Sequence, residues 1–170
     1  MSMTIYPVSR SVKERSLLLL TALLMLFQAS CGSEFFYQEK KKLSGGYWTY
    51  RDTLDFRCTV NDTTGTYNLY LDFDYADTFA TQNVYLKLHT LFPDGQRLSK
   101  QKSFDLFDAQ GKATGQCSGH NCSMHAILQE KAFFNRAGEY VITLEQFTRQ
   151  DTLPGIYGVG LSIEATGEKK

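Results

Sequence analysis

The sequence predicts an all-β fold, an antiparallel β-sandwich of about seven to eight strands, for most of this chain. Three observations lead to that prediction. Apolar and polar residues alternate with a period of two in most segments after residue 46, which is the pattern of strands with one buried and one wet face. Clusters of turn-forming residues separate these segments at short intervals. The chain has 10 Tyr and 12 Phe but 3 Pro, and aromatic side chains favour pleated, half-buried surfaces.

The predicted strands follow one another with polar turns between them. The clearest ones lie at residues 54–60, 67–75, 84–92, 138–147 and 158–165, and residues 98–107 alternate less cleanly. A turn is predicted at Pro93-Asp94-Gly95, because proline presets φ at the first corner and glycine accepts a positive φ later in the turn. Residues 125–134 fit either a short helix or a strand, since their composition suits a helix and their spacing also suits a strand.

The first 30 residues have the features of a secretory signal peptide. Lys13 and Arg15 precede an apolar run from Leu17 to Phe27. At about 1.5 Å of helical rise per residue, a run of about eleven residues is too short to cross a hydrocarbon core of about 30 Å. The charged start and short apolar centre therefore indicate an export signal rather than a permanent membrane span.

Cys31 makes this leader resemble a lipoprotein signal. The small residues Ala29 and Ser30 come directly before it and Gly32 follows, as at the bacterial site where the chain is cut before a cysteine that carries acyl chains such as palmitate. The alternatives are a soluble secreted protein cut after Ser30 and an uncleaved anchor. The predicted organisation is then a signal peptide at 1–30, a lipidated N-terminus and flexible tether at 31–46, a β-sandwich domain at 47–166 and a tail at 167–170.

Composition and motifs argue against several classes of function. With 18 basic and 18 acidic residues and a net charge of zero, the chain offers no electrostatic case for nucleic-acid binding. It has no G-x-S-x-G, no P-loop and no H-E-x-x-H motif, so we expect neither enzymatic activity nor a cofactor. Asp72 and Asp74 share one face of a predicted strand, where they form either a calcium or general-acid pair or, as we prefer, a solvated strand face.

The stretch GQCSGHNCSMH, residues 115–125, admits several interpretations. A disulfide between Cys117 and Cys122 would close a small loop with a tight turn at residues 118–121, and such a bond suits an oxidising compartment outside the inner membrane. Cys58 could instead pair with one of them, or remain a buried free thiol. A zinc site built from both cysteines with His120 and His125 has suitable ligand types, but the spacing differs from the common finger pattern.

Several short motifs follow one another along the predicted domain. They are Tyr67-Asn68-Leu69-Tyr70, Asn83-Val84-Tyr85-Leu86, Phe92-Pro93-Asp94-Gly95, the segment from Asp105 to Lys112 and on to Gly115, Gly138-Glu139-Tyr140 with Gln146 and Arg149, Leu153-Pro154-Gly155-Ile156 and Val159-Gly160-Leu161. In this order, behind a lipoprotein-like leader, they resemble the GldH family of gliding-motility lipoproteins of Bacteroidetes. The resemblance implies a cell-envelope lipoprotein that assists gliding and the associated secretion apparatus, and it supplies no catalytic residues.

These observations lead to one leading function and two alternatives. We expect an outer-membrane lipoprotein, on the periplasmic face because no dense acidic run follows Cys31, that binds envelope proteins of the gliding and secretion apparatus. Tyr47, Trp48 and Tyr85 are candidate anchors, because Tyr and Trp concentrate in interface hot spots. A binder of envelope carbohydrate or peptidoglycan is the first alternative, and a metal or redox protein using residues 115–125 is the second.

Overall fold

A computed structural model describes residues 35–170, which fold into strands and one short 3₁₀ turn. The eleven strands of this part of the chain are β1 (Phe35–Lys42), β2 (Tyr47–Thr49), β3 (Leu54–Val60), β4 (Gly65–Ala76), β5 (Asn83–Leu91), β6 (Arg97–Asp105), β7 (Gln116–Ser118), β8 (Asn121–Ala132), β9 (Gly138–Gln146), β10 (Thr152–Pro154) and β11 (Ile156–Lys169), with the 3₁₀ turn at Ser44–Gly46. Nothing in residues 35–170 forms a helix of the length and apolarity needed to span a membrane.

The strands form two main antiparallel sheets, as the sequence predicts. One sheet has five strands in the order β1-β11-β4-β8-β7, and the other has four in the order β3-β9-β5-β6. Strands β10 and β2 form a separate two-stranded ladder. All of these pairings are antiparallel, so the predicted sandwich class is confirmed.

The core lies between the sheets because alternate residues of each strand point inward. Strand β3 shows this most clearly, since its buried and exposed residues alternate without interruption over Leu54–Val60. The largest fully buried side chains are Trp48, Tyr75, Tyr140, Phe56, Phe73, Leu71, Leu86, Leu106, Leu144, Leu153, Ile156 and Leu161. Fully burying an aliphatic or aromatic side chain contributes about 1.5–3 kcal/mol, so this interior is the main source of stability.

The boundaries predicted from sequence need correction at both ends of the domain. Residues 35–42, assigned above to a flexible tether, form strand β1 and pair with β11 from Phe35 opposite Glu164 to Lys42 opposite Gly158. Tyr37 packs against the core, and its burial raises the pKa of the phenol above its ordinary value. At the other end, β11 continues to Lys169 through residues assigned to a tail.

Further differences concern the strands themselves. The segment that fitted a helix or a strand belongs to β8, a strand of twelve residues. Strands β2, β7 and β10 were not predicted. Each has three residues, which is too short to show a period of two.

The two sides of the sandwich are built differently. On one side β1 lies against β3, where the Lys41 ammonium sits 5.4 Å from the centre of the Phe56 ring. On the other side β6 faces β8, and Lys102 of β6 donates hydrogen bonds to the carbonyl oxygens of Ile127 and Leu128 in β8. Strand β7 pairs with β8 only as far as Gln116 opposite Ser123. Most of β8 is therefore an edge that faces β6.

Candidate functional site

The cysteines at 117 and 122 form a disulfide that closes the β7–β8 hairpin. They lie opposite each other in the register, with Cα atoms 3.9 Å apart. Gly119 in the turn has φ of +60°, a conformation that favours glycine. Cys58 takes no part in this pairing, because it is a free thiol buried in β3. Burial raises the pKa of the Cys58 thiol to about 11.

The two histidines of this hairpin do not converge on one point with the cysteines. His120 Nδ1 lies 2.9 Å from a carboxylate oxygen of Asp77, and His125 Nδ1 lies 2.6 Å from one of Asp72. Because the two sulfur atoms are bonded to each other, neither is a thiolate ligand. Among residues 35–170, no group of three or more His, Cys, Asp or Glu side chains is placed to hold a metal ion.

Asp72 lies on the outer face of the five-stranded sheet, as the alternation predicts, and both of its oxygens are occupied. His125 donates to one oxygen at 2.6 Å and the Ser162 hydroxyl to the other at 2.8 Å. Tyr70 stacks on the His125 ring with centroids 4.2 Å apart. The carboxylate therefore joins β4 to β8 and to β11 through a closed set of hydrogen bonds.

Asp74 is engaged in the same way two residues further along β4. The Lys40 ammonium contacts its two oxygens at 2.9 and 3.0 Å, and the Ser123 hydroxyl donates at 2.8 Å. Neither carboxylate has an oxygen free of a protein partner, so the geometry agrees with a structural role on a strand face. Sequence reasoning missed Lys40 because it was assigned to the tether.

The candidate aromatic anchors separate into one buried and two exposed residues. Trp48 has no exposed surface, and its indole nitrogen donates to the Asp52 carbonyl at 2.7 Å. Tyr47 and Tyr85 are 44% and 49% exposed. The expectation that Trp48 anchors a partner is therefore wrong, because its ring belongs to the core. The same burial removes the single Trp of the chain from any aromatic surface that could bind sugars.

A groove of about 310 Å³ opens between β6 and β8. We call it the β6–β8 groove. Its lining residues are Leu69, Leu88, Thr90, Leu98, Lys100, Gln101, Lys102, Leu128, Gln129 and Ile142. The floor of the groove is apolar because core side chains, among them Leu69, Leu88 and Ile142, lie at the bottom of the gap between the two sheets. Lys100 and Lys102 lie on the β6 side of the groove. The sequence signal for it was the weak alternation of residues 98–107.

The end of the sandwich where β1 begins carries several aromatic side chains at its surface. We call it the β1 end. Phe36 contacts Tyr67 with ring centroids 5.6 Å apart. Phe133, which is 55% exposed, lies under the Lys170 ammonium at 5.5 Å. The predicted lipidation site Cys31 and the signal peptide lie outside the described residues, but Cys31 precedes the first residue of β1 by four positions.

These observations define a class of protein: an antiparallel β-sandwich with a closed polar network on one face and an open apolar groove between two strand edges. The GldH lipoprotein family matches residues 35–163, which is most of the chain and starts where β1 starts. The chain therefore belongs to the GldH lipoprotein family, as the resemblance of its motifs predicts, and it is a lipoprotein associated by family with gliding motility.

A curated relative and two solved structures show how far the similarity extends. The "Gliding motility lipoprotein GldH homolog" of Christiangramia forsetii is 23% identical over 143 residues, which cover 80% of this chain and 87% of the relative. Dimeric latent PorU of Porphyromonas gingivalis matches 80% of this chain at 10% identity and a TM-score of 0.33, and the chain covers 14% of it. A structure of the infectious bursal disease virus Gx strain matches at 13% identity and the same TM-score, with 80% of this chain and 31% of that one covered.

Proposed function

We propose that this protein is a lipid-anchored outer-membrane lipoprotein that supports gliding motility and the associated protein secretion by binding other envelope proteins. The observation that carries the proposal is the family match over residues 35–163 directly behind the lipoprotein-like cysteine at position 31. Acyl chains on Cys31 would confine the domain to a bilayer surface, which raises its local concentration at a partner on the same surface.

The proposed action is binding without catalysis. The two carboxylates that a general-acid mechanism would use are held by Lys40, His125 and two serine hydroxyls. The β6–β8 groove, by contrast, is an open cleft of about 310 Å³ with a largely apolar lining and two lysines, and clefts of this composition are typical binding sites.

Fractionation of cells that carry Cys31→Ser tests the anchor. If acylation holds the protein on the outer membrane, the variant should keep its signal peptide and leave the position that the wild-type protein takes in a density gradient. Cys58→Ser serves as the matched control, since that thiol is buried within the domain. Normal processing and unchanged sedimentation of Cys31→Ser would refute the anchor.

In-cell crosslinking of the wild-type protein tests which proteins it binds in the envelope. We expect the mapped neighbours to be envelope proteins of the gliding and secretion apparatus, on the periplasmic side of the outer membrane. Loss of gliding in the deletion strain, restored by the wild-type gene but not by Cys31→Ser, would support the link between anchoring and motility. Crosslinks confined to peptidoglycan or to surface glycans would contradict the proposed binding of envelope proteins.

A further inference from the structure

Strand β6 is an edge strand whose inner face carries charge. Its inward residues lie opposite inward residues of β5, and the pairs are Leu98 with Thr90, Lys100 with Leu88, Lys102 with Leu86 and Phe104 with Val84. Leu86 and Leu88 point to the core. Side chains opposite each other in a ladder share a face of the sheet, so both lysines lean over the apolar floor of the β6–β8 groove.

Neither lysine has an acidic partner within residues 35–170. The Lys102 ammonium donates to the carbonyl oxygens of Ile127 and Leu128 at 3.2 and 2.5 Å. Lys100 lines the groove, and no Asp or Glu is among the lining residues. Lys100 is exposed to solvent at the rim of the groove, so a bound carboxylate would exchange its hydration for an ion pair. The groove is complementary in polarity and charge to an apolar ligand that carries a carboxylate.

The backbone of β6 offers the second half of a binding site. In the order β3-β9-β5-β6, the outer edge of β6 pairs with no other strand of the described chain. On the facing edge of β8, the carbonyls of Ile127 and Leu128 already accept hydrogen bonds from Lys102, so β6 is the less obstructed of the two edges. A strand edge beside side-chain pockets is the arrangement used in recognition by strand addition.

We propose that the β6–β8 groove binds an extended segment of a partner protein, which adds a fifth strand to the β6 edge and sets a carboxylate opposite Lys100. Its inward side chains are an acidic residue flanked by apolar ones, and its outward side chains are polar, since Arg97, Ser99 and Ser103 face outward on β6. This inference specifies the partner chemistry for the proposed binding function, and it does not depend on acylation of Cys31.

Binding of two synthetic peptides to the purified full-length chain in detergent tests the proposal. One is a nine-residue peptide of alternating Val and Thr with Glu at its central inward position, and the other replaces that Glu by Gln. We expect the Glu peptide to bind about tenfold more tightly, the ratio that about 1.4 kcal/mol provides. Lys100→Gln should reduce the ratio to near one, and Lys100→Arg should preserve it.

Lys87→Gln is the matched control, because Lys87 belongs to the neighbouring strand β5 and its ammonium sits over Phe147 outside the groove. It should leave the tenfold ratio unchanged. Hydrogen exchange should slow in β6 when the Glu peptide binds. Equal affinity for the two peptides, an equal loss with Lys87→Gln, or no binding at all would overturn the proposal. Self-association of Lys100→Gln without peptide binding would show instead that the lysine only prevents edge-to-edge pairing.

Discussion

At the scale of single residues, Cys58 shows how one environment decides the chemistry of a cysteine. The thiol is 3% exposed, and burial raises its pKa to about 11 from 9.0. Because the thiolate is the reactive form, we expect Cys58 to resist alkylation by iodoacetamide in the native protein at about pH 8 and to react once urea unfolds the chain. Mass spectrometry of the labelled peptide measures both states.

The same shift predicts a dependence of stability on pH. A raised pKa means that the folded state holds the proton more tightly than the unfolded state does. The resulting contribution to the free energy of unfolding is complete below about pH 9 and is lost as the pH rises towards 11. The difference in urea midpoint between wild type and Cys58→Ala should therefore change between these limits. A constant difference across that range, or rapid native alkylation, would contradict the burial of this thiol.

The disulfide makes a different prediction, since it acts on the unfolded chain. Cys117 and Cys122 are five residues apart, and closing so short a loop is expected to stabilise the fold by about 2 kcal/mol. Cys117→Ser should lower the free energy of unfolding by about that amount while the far-ultraviolet circular dichroism stays unchanged. Reduction of the wild-type protein is the control and should give the same loss. A variant as stable as wild type would mean that the bond contributes nothing.

At the scale of elements, β1 is the longest of the strands that sequence reasoning did not find. Its lysines indicated a solvated linker, but its backbone pairs with β11 along seven register positions. We expect amides of residues 35–42 to exchange about 100-fold more slowly than an unstructured chain, which corresponds to a local opening of about 2.7 kcal/mol. The exposed turn at residues 61–64 is the internal reference. Exchange in β1 as fast as in that turn would show that residues 35–42 are a flexible tether, as the sequence analysis predicted.

Gly115 tests how closely the segment before β7 lies on β8. A Cβ atom placed there would be 2.4 Å from the carbonyl oxygen of Ser123, and backbone cannot move aside as a flexible side chain can. Gly115→Ala should therefore destabilise the protein by about 1–3 kcal/mol in urea unfolding. Gly65→Ala is the matched control, because its added Cβ would meet nothing closer than 3.7 Å. Equal effects of the two substitutions would contradict this packing.

These elements also show what the sequence can and cannot predict. Strands such as β3 were predictable because one face is buried along their whole length. Strand β1 was not, because its pairing with β11 is a long-range backbone contact that leaves only a weak pattern in its side chains. The Asp72 network was hidden for the same reason, since Ser162 lies 90 residues from its partner. The groove depends on two strand edges that meet only in the folded sandwich.

At the scale of the whole molecule, the position of β1 bears on the proposed anchoring. If Cys31 is acylated, Phe35 follows the lipidated residue by four positions, and a fully extended chain spans at most about 14 Å over four residue steps. The β1 end would then face the headgroups. It carries the exposed rings of Phe36 and Phe133 and the ammonium of Lys170, while the ammonium of Lys131 is paired with Glu168. Aromatic side chains and a lysine ammonium suit a membrane interface.

This orientation predicts which surface of the lipidated protein contacts lipid. In proteoliposomes that contain brominated lipid, Phe133→Trp should be quenched strongly, because the β1 end lies at the headgroups. Tyr85→Trp should not, because Tyr85 lies near the opposite end of the sandwich, where its carbonyl accepts from Phe147. The buried Trp48 gives the same background in both variants. Adding Cys31→Ser should abolish the quenching of Phe133→Trp. Equal quenching of both indoles in the lipidated protein would show that the domain has no fixed orientation at the bilayer, even if the anchor itself is correct.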